Sequence, residues 1–307
     1  MANDVRVADV RLLSQSWQLA LRAERKSPQT LKTYGDGLRL FLDWCEAESA
    51  EPMTRAALNG FTAAMLDNGN AAATARARQL AVKRFASWAV VEGEIDADPF
   101  LSVKPPKLDQ VVIEPLTETE LRALIKVCQP PKGAEPKVAL RYRRDEAIVR
   151  LMIDAGIRAG EMVSLELGDL DLIAGEAVVR RGKGGKGRRV PVGPEAALAL
   201  DRYLRLRRAH RLADRPALWL GDRGKGFTYD ALHATLKERA IAAGIEGFHP
   251  HRMRHTWAHR WLSAGGSESG AMAVGGWTRP DMLMRYTKAQ ASARASEEAR
   301  TLNLGEL

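Results

Sequence analysis

Residues 248–262, FHPHRMRHTWAHRWL, hold four of the six histidines of the chain. Pro250 suits the first position of a helix. In a helix from that point, His251, His255 and His259 would share one face. Histidines in this arrangement can bind zinc, bind a phosphate, or only cap and pack the helix.

The charges of this stretch separate the three possibilities. It contains no acidic residue, and Arg252, Arg254 and Arg260 crowd it with cations that oppose a metal ion. We therefore predict no metal site. His251 and Arg254 stand three apart at a helix start, where both can face one anion and the helix dipole adds to the attraction. We interpret His255 and His259 as structural.

Composition indicates a polyanionic partner. The formal net charge is +9 and the isoelectric point about 9.7, which favours nucleic acid without establishing it. No run of 18 apolar residues occurs, so we expect no membrane contact. The polar, acid-containing N-terminus predicts no signal peptide. The two cysteines, Cys45 and Cys128, cannot build a disulfide framework, which predicts a protein of the reducing cytoplasm.

The first hundred residues have the pattern of a helical domain. Ser27 is a predicted N-cap, followed by Pro28 at the first helical position. Predicted helices cover residues 5–25, 27–48, 54–69 and 71–93. We assign residues 1–100 to this domain. Residues 101–115 are a proline-containing stretch without helical periodicity, which predicts an extended linker.

The remaining chain mixes helices with a short β-hairpin. Thr117 and Glu120 form a capping-box pattern, and Gly156 ends a later helix. Residues 176–192 predict a hairpin. Further helices are expected at 194 to about 212, 229–243 and 250–264, followed by two short ones. We predict a mainly α fold with a small β-hairpin or sheet, a second domain at 116–290, and a tail at 291–307 whose middle favours helix.

Two further segments carry candidate phosphate ligands. Arg158, in the turn of GIRAGE, could form a fork on phosphate oxygens with Glu161 as its acidic neighbour, or lie on the surface as an ordinary arginine. Residues 180–189, RRGKGGKGRR, have six basic residues and no acid. They lack the Lys-Ser/Thr pair and the following helix of a P-loop. The segment is either a solvated turn or a basic tip that enters a DNA groove. Its candidate DNA contacts are Lys186, Arg188 and Arg189.

The final segment, GGWTRPDMLMRYTKA, places Trp277 nine residues before Tyr286. Taken one at a time, such aromatic residues usually belong to a core. Their order after the other motifs gives them a second interpretation.

In chain order, these motifs resemble the tyrosine recombinase (phage integrase) family. The family's set is an arginine in a G-[LI]-R-x-x-E box, a lysine in a G-K-G hairpin, H-x-x-R, and His or Trp nine residues before a nucleophilic tyrosine. The matching catalytic residues here are Arg158, Lys183, His251, Arg254, Trp277 and Tyr286, with Glu161 in support. The resemblance implies a helical core-binding (SAM-like) domain and an α+β catalytic domain. One departure is GGW, where many members have LGH.

The resemblance also implies a mechanism. Tyr286 would attack a DNA phosphate, with Arg158 and Arg254 holding its oxygens, Trp277 packing on it and His251 accepting a proton. Lys183 would protonate the leaving 5′ oxygen. A 3′-phosphotyrosyl intermediate keeps the bond energy, so neither ATP nor any other cofactor is expected. The rival interpretations are a type IB topoisomerase and a non-catalytic DNA-binding regulator.

The family's partners are expected as well. They are double-stranded DNA and three further copies in a synaptic tetramer, with a monomer in solution and possible accessory DNA-bending proteins. The first predicted helix begins close to the N-terminus, so we expect the simple type without an arm-binding domain. A phage integrase, a Xer-like enzyme and a transposon-encoded enzyme all remain open.

Overall fold

The computed structural model describes residues 6–108, 113–180, 187–221, 225–287 and 291–302; the side chains of 284–287, 291–294 and 297 fall outside this description. The chain divides into two compact units, Met1–Val111 and Val112–Leu307. This division falls inside the predicted linker, 101–115. The boundaries proposed from the sequence stay predictions.

The first unit is helical, as predicted. Its helices are α1 (Val7–Ala23), α2 (Pro28–Ala47), α3 (Arg55–Asp67) and α4 (Ala72–Val91). The predicted cap of α2 is confirmed, because the Ser27 hydroxyl accepts a hydrogen bond of 3.1 Å from the Thr30 amide. The core is rich in aromatic rings, with Trp17, Phe41 and Phe85 almost completely buried.

The last residue of the predicted first domain and the first residues of the predicted linker pack onto this helical unit. Phe100 and Val103 are buried in its core. The Lys83 ammonium donates to the Val103 carbonyl at 2.8 Å, and the Gln79 amide donates to the Lys104 carbonyl at 3.3 Å. These contacts tie residues 100–104 to the first unit.

The second unit is mainly helical around a small antiparallel sheet. Its helices are α5 (Glu118–Val127), α6 (Pro136–Ala155), α7 (Ala159–Val163), α8 (Pro194–Arg207), α9 (Tyr229–Ala242), α10 (Pro250–Ser263), α11 (Glu268–Gly275), α12 (Pro280–Thr287) and α13 (Ala291–Leu302). The described strands are β1 (Leu170–Asp171), β2 (Glu176–Val179) and β3 (Arg188–Pro191), in the order β1-β2-β3. Strands β2 and β3 confirm the predicted hairpin; β1 was not predicted.

One helix boundary was wrong. The helix expected to continue to about residue 212 ends at Arg207. The side chain of Arg207 is buried, and its guanidinium donates to carbonyl oxygens of the loop that follows. When the chain turns back after Arg207, the carbonyl groups of the loop can accept hydrogen bonds from this buried guanidinium. These tertiary bonds outweigh the helical propensity of residues 208–212.

Gly156 fixes the route of the chain between α6 and α7. Its φ is +55°, a left-handed conformation that ends α6 where the sequence predicts. A Cβ at this position would lie 2.3 Å from the Trp257 ring of α10. A side chain is therefore excluded by sterics as well as by backbone strain.

Both cysteine thiols are inert by position. Cys45 and Cys128 are buried free thiols in different units, and burial raises the pKa of each to about 12. Within the described residues, the helices are too short or too polar to cross a membrane.

Candidate active site

Three of the predicted site residues line one cavity. Arg158 comes from the turn before α7, and His251 and Arg254 come from the first turns of α10. Their convergence is long-range, since α7 and α10 are about ninety residues apart in the sequence. The order of the motifs implied a shared site, and the structure places these three residues around one cavity.

Arg254 is embedded in the floor of this site. It is only 1% exposed. One guanidinium nitrogen, Nη1, donates to the Gly156 carbonyl at 2.6 Å, and Nη2 donates to the Gly275 carbonyl. The centre of the guanidinium lies 4.3 Å from the Trp277 ring centroid, a cation–π distance. Arg254 is thus held on three sides, which fixes where its charge acts.

Arg158 is held by its acidic neighbour, as the GIRAGE spacing suggests. Its Nη1 donates to Glu161 Oε1 at 2.9 Å and its backbone amide donates to Oε2 at 3.0 Å. Its Nη2 donates to the Gly276 carbonyl at 3.0 Å. The side chain remains 24% exposed, so Arg158 is oriented by these bonds and still open to the cavity. The alternative of an ordinary surface arginine does not describe it.

Glu161 is charged despite being buried. Burial alone raises the pKa of its carboxyl group, but the hydrogen bonds and charges of Arg188 and Arg158 outweigh burial and hold the pKa below its usual value. The carboxylate therefore stays ionised at neutral pH. It is a fixed negative charge that accepts hydrogen bonds from two guanidinium groups.

Three arginines donate hydrogen bonds to carbonyl groups at the C-terminal end of α11. Arg188 Nε donates to the Val274 carbonyl at 2.6 Å, Arg254 Nη2 to that of Gly275, and Arg158 Nη2 to that of Gly276. Carbonyl groups at a helix C-terminus lack intrahelical partners and carry the negative end of the helix dipole. Three successive carbonyls therefore position the cations of this site.

The GGW departure from the commoner LGH pattern has a steric explanation. Trp277 is buried between Arg254 and the Trp257 ring, whose centroid lies 5.6 Å from its own. A Cβ on Gly275 would come within 2.8 Å of the Trp277 ring. The larger indole therefore requires glycine two residues before it, and leucine at that position would displace the ring.

Tyr286 belongs to α12, which packs against α10 and α11. Three residues earlier, the buried Leu283 joins Trp257 and Trp277 in one apolar cluster. This cluster anchors the helix of Tyr286 on the same layer that holds Trp277. The side chain of Tyr286 lies outside the described residues.

His251 is neutral at physiological pH. His251 is an exposed residue overall, yet partial desolvation in the cavity lowers its pKa to about 4, and the positive charges of Arg254 and Arg158 act in the same direction. His255 is buried one turn later, with ring centroids 5.2 Å apart, and burial also lowers its pKa to about 4. A neutral His251 can accept a proton, whereas an imidazolium cannot.

The hairpin residues separate into three cases. Lys183 and Lys186 lie outside the described residues. Arg189 is exposed and pairs with Glu176 at 2.7 Å on the neighbouring strand. Arg188, expected from the sequence to contact DNA, instead turns inward: it is only 11% exposed, and both ends of its fork bind Glu161 at 2.9 and 2.7 Å.

Sequence reasoning did not single out Tyr229 and His233. Both line the cavity of Arg158 from α9, together with His249. Their spacing of four residues places them on one helical face, a signal available in the sequence. Nothing in that spacing indicates which partner the face meets.

A metal site finds no support among the residues that the structure describes. No group of three or more His, Cys, Asp or Glu side chains in that part of the chain is arranged to hold an ion. The prediction of metal-free chemistry stays a prediction.

Two family models match the chain. The model of the phage integrase family matches residues 114–293, and the model of the phage integrase N-terminal SAM-like domain matches residues 15–93. The tyrosine recombinase XerD of Ralstonia nicotianae is 34% identical over 242 residues, covering 77% of this chain and 76% of that protein. The tyrosine recombinase XerC of Chromobacterium violaceum is 31% identical over 243 residues, covering 78% of each.

Solved structures share the fold at lower identity. The Tn1549 transposon integrase, solved in complex with transposon right end DNA, has a TM-score of 0.70 at 18% identity and covers 94% of this chain and 98% of its own. The site-specific recombinase XerH, bound to a palindromic difH substrate, has a TM-score of 0.70 at 16% identity and covers 95% and 84%. The extent of the family match, together with the ordered motifs, shows that the chain belongs to the phage integrase family, the tyrosine-type site-specific DNA recombinases.

Proposed function

We propose that this enzyme cleaves and rejoins double-stranded DNA at a specific core site, with Tyr286 as the nucleophile. One observation carries the proposal: Arg158, His251 and Arg254 line one cavity, and Arg254 lies against Trp277, whose apolar cluster anchors the helix of Tyr286. Two guanidinium groups beside a neutral imidazole form a site for a phosphodiester anion.

The two arginines stabilise charge on the phosphate. When the tyrosine oxygen attacks phosphorus, negative charge grows on the non-bridging oxygens. Preorganised cations at those oxygens are usually the largest catalytic contribution. The carbonyl groups of Gly275 and Gly276 hold Arg254 and Arg158 in place beforehand. Trp277 packs against Arg254 and limits its movement.

Proton transfer is divided between two groups. A tyrosine hydroxyl has an ordinary pKa of about 10, so it must lose its proton as it attacks. In the protein without DNA, desolvation lowers the pKa of His251 to about 4, so its imidazole is neutral. A phosphate anion bound beside it would raise this pKa and make it a stronger base, and His251 is the proposed acceptor. Lys183 is the proposed donor of a proton to the leaving 5′ oxygen.

The reaction is reversible without added energy. One phosphorus–oxygen bond forms to Tyr286 as the bond to the 5′ oxygen breaks, giving a 3′-phosphotyrosyl intermediate and a 5′ hydroxyl. Attack by another strand's 5′ hydroxyl reverses these changes and releases the tyrosine. Because the phosphotyrosyl bond conserves the energy of the bond that it replaces, rejoining requires no nucleotide cofactor.

The assembly follows from exchange between two duplexes. We propose a monomer in solution and four protomers on two DNA sites, with accessory DNA-bending proteins as possible partners, in the cytoplasm of a bacterial or phage-infected cell. The net charge of +9 favours DNA binding. Helix α13 is the helix that the sequence predicts in the tail. We propose that residues 291–307 dock on a neighbouring protomer.

The first step of the test identifies the DNA sequence that the purified protein protects, by selection from a pool of random duplexes. A nicked suicide duplex of that sequence should form a covalent adduct with the wild-type protein. Tyr286→Phe should form no adduct and bind the duplex with nearly unchanged affinity, because only the hydroxyl is lost.

Each rival function gives a different result. Relaxation of supercoiled plasmids lacking the selected sequence would assign a type IB topoisomerase. Specific binding without any adduct from the wild-type protein would assign a regulator. Adduct formation by Tyr286→Phe at the wild-type rate would remove Tyr286 as the nucleophile.

A further inference from the structure

Arg188 connects three parts of the catalytic unit through one side chain. It begins β3, the strand that leaves the hairpin tip. Its Nη1 and Nη2 donate to the two oxygens of Glu161, at 2.9 and 2.7 Å, and its Nε donates to the Val274 carbonyl at 2.6 Å. All three nitrogens of the guanidinium group therefore donate hydrogen bonds, and these bonds join β3 to α7 and α11.

Arg188 and Arg158 share the Glu161 carboxylate and bind nearby carbonyl groups at the end of α11. The Oε1 atom of Glu161 accepts from both Arg158 and Arg188, at 2.9 Å in each case. The Val274 carbonyl bound by Arg188 lies two residues before the Gly276 carbonyl bound by Arg158. Arg188 thus binds the carboxylate that orients Arg158 directly, and it holds the end of α11 two residues before the carbonyl that Arg158 binds.

The exposure of the two arginines separates their tasks. The side chain of Arg158 is 24% exposed and lines the cavity, whereas that of Arg188 is 11% exposed and does not line it. A guanidinium whose fork is bidentate on a buried carboxylate is an orienting group with a fixed angle. Removing it would leave Glu161 with one arginine and the end of α11 with one fewer donor.

We propose that Arg188 is a positioning residue for DNA cleavage, which sets the place of Arg158 through Glu161 and the C-terminal end of α11. This inference rests on the proposed function. It replaces the expectation that Arg188 contacts DNA. It also links the strand leaving the hairpin of Lys183 to the arginine that holds the phosphate.

The variant that tests this is Arg188→Gln, compared with Arg205→Gln. Both arginines belong to the catalytic unit and pair with a carboxylate, but Arg205 is exposed on α8, pairs with Asp201 at 3.1 Å and does not line the cavity of Arg158. We expect Arg188→Gln to slow single-turnover adduct formation roughly 10–100-fold, since misplacing a catalytic group by about 1 Å has effects of that order. Arg205→Gln should cleave at nearly the wild-type rate.

Binding distinguishes positioning from DNA contact. The slope of log affinity against log salt should be the same for Arg188→Gln and the wild-type protein. A phosphate contact by Arg188 would lower that slope by about 1. Such a decrease would overturn the proposal and restore the expectation drawn from the sequence.

Modified substrates identify which group Arg188 serves. A 5′-bridging phosphorothiolate has a leaving group that needs little protonation, so it should restore cleavage by Lys183→Ala and leave the defect of Arg188→Gln in place. A methylphosphonate removes the negative charge from the attacked phosphorus group, so the defect of Arg188→Gln should shrink on it. Restoration of Arg188→Gln by the phosphorothiolate would show that Arg188 acts through the hairpin lysine instead, and would contradict the proposal.

Arg188→Lys guards against a folding artefact. It keeps the charge near Glu161 and loses the fork, so its rate should fall between those of the wild-type protein and Arg188→Gln at an unchanged thermal unfolding midpoint. Wild-type rates in both Arg188 variants would overturn the proposal. Absence of any adduct from the wild-type protein would instead overturn the proposed function, and this inference with it.

Discussion

Two buried arginines of the catalytic unit have similar surroundings and different consequences. Arg207, at the end of α8, is 3% exposed. Its guanidinium donates to four carbonyl oxygens of the loop that follows the helix, those of Ala213, Arg215, Ala217 and Leu218, at 2.7–3.0 Å. The loop closes around the side chain, so Arg207 organises the fold.

Arg254 is buried to the same degree and also donates to backbone carbonyls, those of Gly156 and Gly275. It differs in what lies beside it. Arg254 lines the cavity shared with Arg158 and His251. Burial and hydrogen bonds to carbonyl groups therefore do not by themselves mark an arginine as part of a functional site. An adjoining space that can admit an anion does.

The strongest test of this distinction is Arg254→Ala. We expect single-turnover adduct formation to fall roughly 10²–10³-fold, the usual effect of removing a charge-stabilising donor from a transition state. Arg254→Lys should recover only part of the rate, because an ammonium group cannot donate to both carbonyls and the phosphate with the same geometry. A rate within threefold of wild type for Arg254→Ala would place Arg254 with Arg207, as a structural residue.

The matching test on the other arginine is Arg207→Met. We expect the free energy of unfolding to fall by about 2–4 kcal/mol, because buried carbonyl groups lose their donor. Urea unfolding measures this loss. Below the transition, the folded variant should form the covalent adduct at nearly the wild-type rate. A tenfold slower adduct in fully folded protein would mean that the Arg207 loop also shapes the active site.

The burial of His255 makes the stability of the catalytic unit depend on pH. Its pKa is lowered to about 4 by burial, assisted by the charges of His251, His249 and Arg254. Between pH 6.5 and 4 the unfolded chain therefore takes up a proton that the folded protein refuses, so stability decreases as the pH falls through this window. The contribution of one such group is at most about 1.4 kcal/mol per pH unit.

Replacing this histidine removes that contribution. His255→Gln should flatten the dependence of unfolding free energy on pH between 6.5 and 4, measured by urea unfolding at half-unit intervals. Identical slopes for the variant and the wild-type protein would show that His255 titrates alike in both states.

The smallest expected effect is that of chelation. EDTA should leave adduct formation unchanged, because the proposed site acts through arginine, histidine and lysine. Loss of cleavage that zinc or magnesium restores would revive the metal interpretation of His251, His255 and His259.

Local pattern alone determined much of this protein. The helices of the first unit, the caps at Ser27 and Thr117 and the stop at Gly156 follow from side chains that act within one or two turns. The spacings of Arg158 to Glu161 and of His251 to Arg254 are also local. They predicted pairs of neighbours correctly because three residues form almost one helical turn.

Tertiary structure decided the partners that lie far away in the chain. Arg188 and Arg189 are adjacent and chemically identical, yet one turns inward to Glu161 and Val274 and the other faces solvent. The alternation of a β-strand separates their faces, but which face meets α11 depends on packing between elements about 86 residues apart. Arg207 ends its helix early for the same reason. A buried guanidinium takes whichever carbonyls the assembled fold brings within reach, and no local pattern contains them.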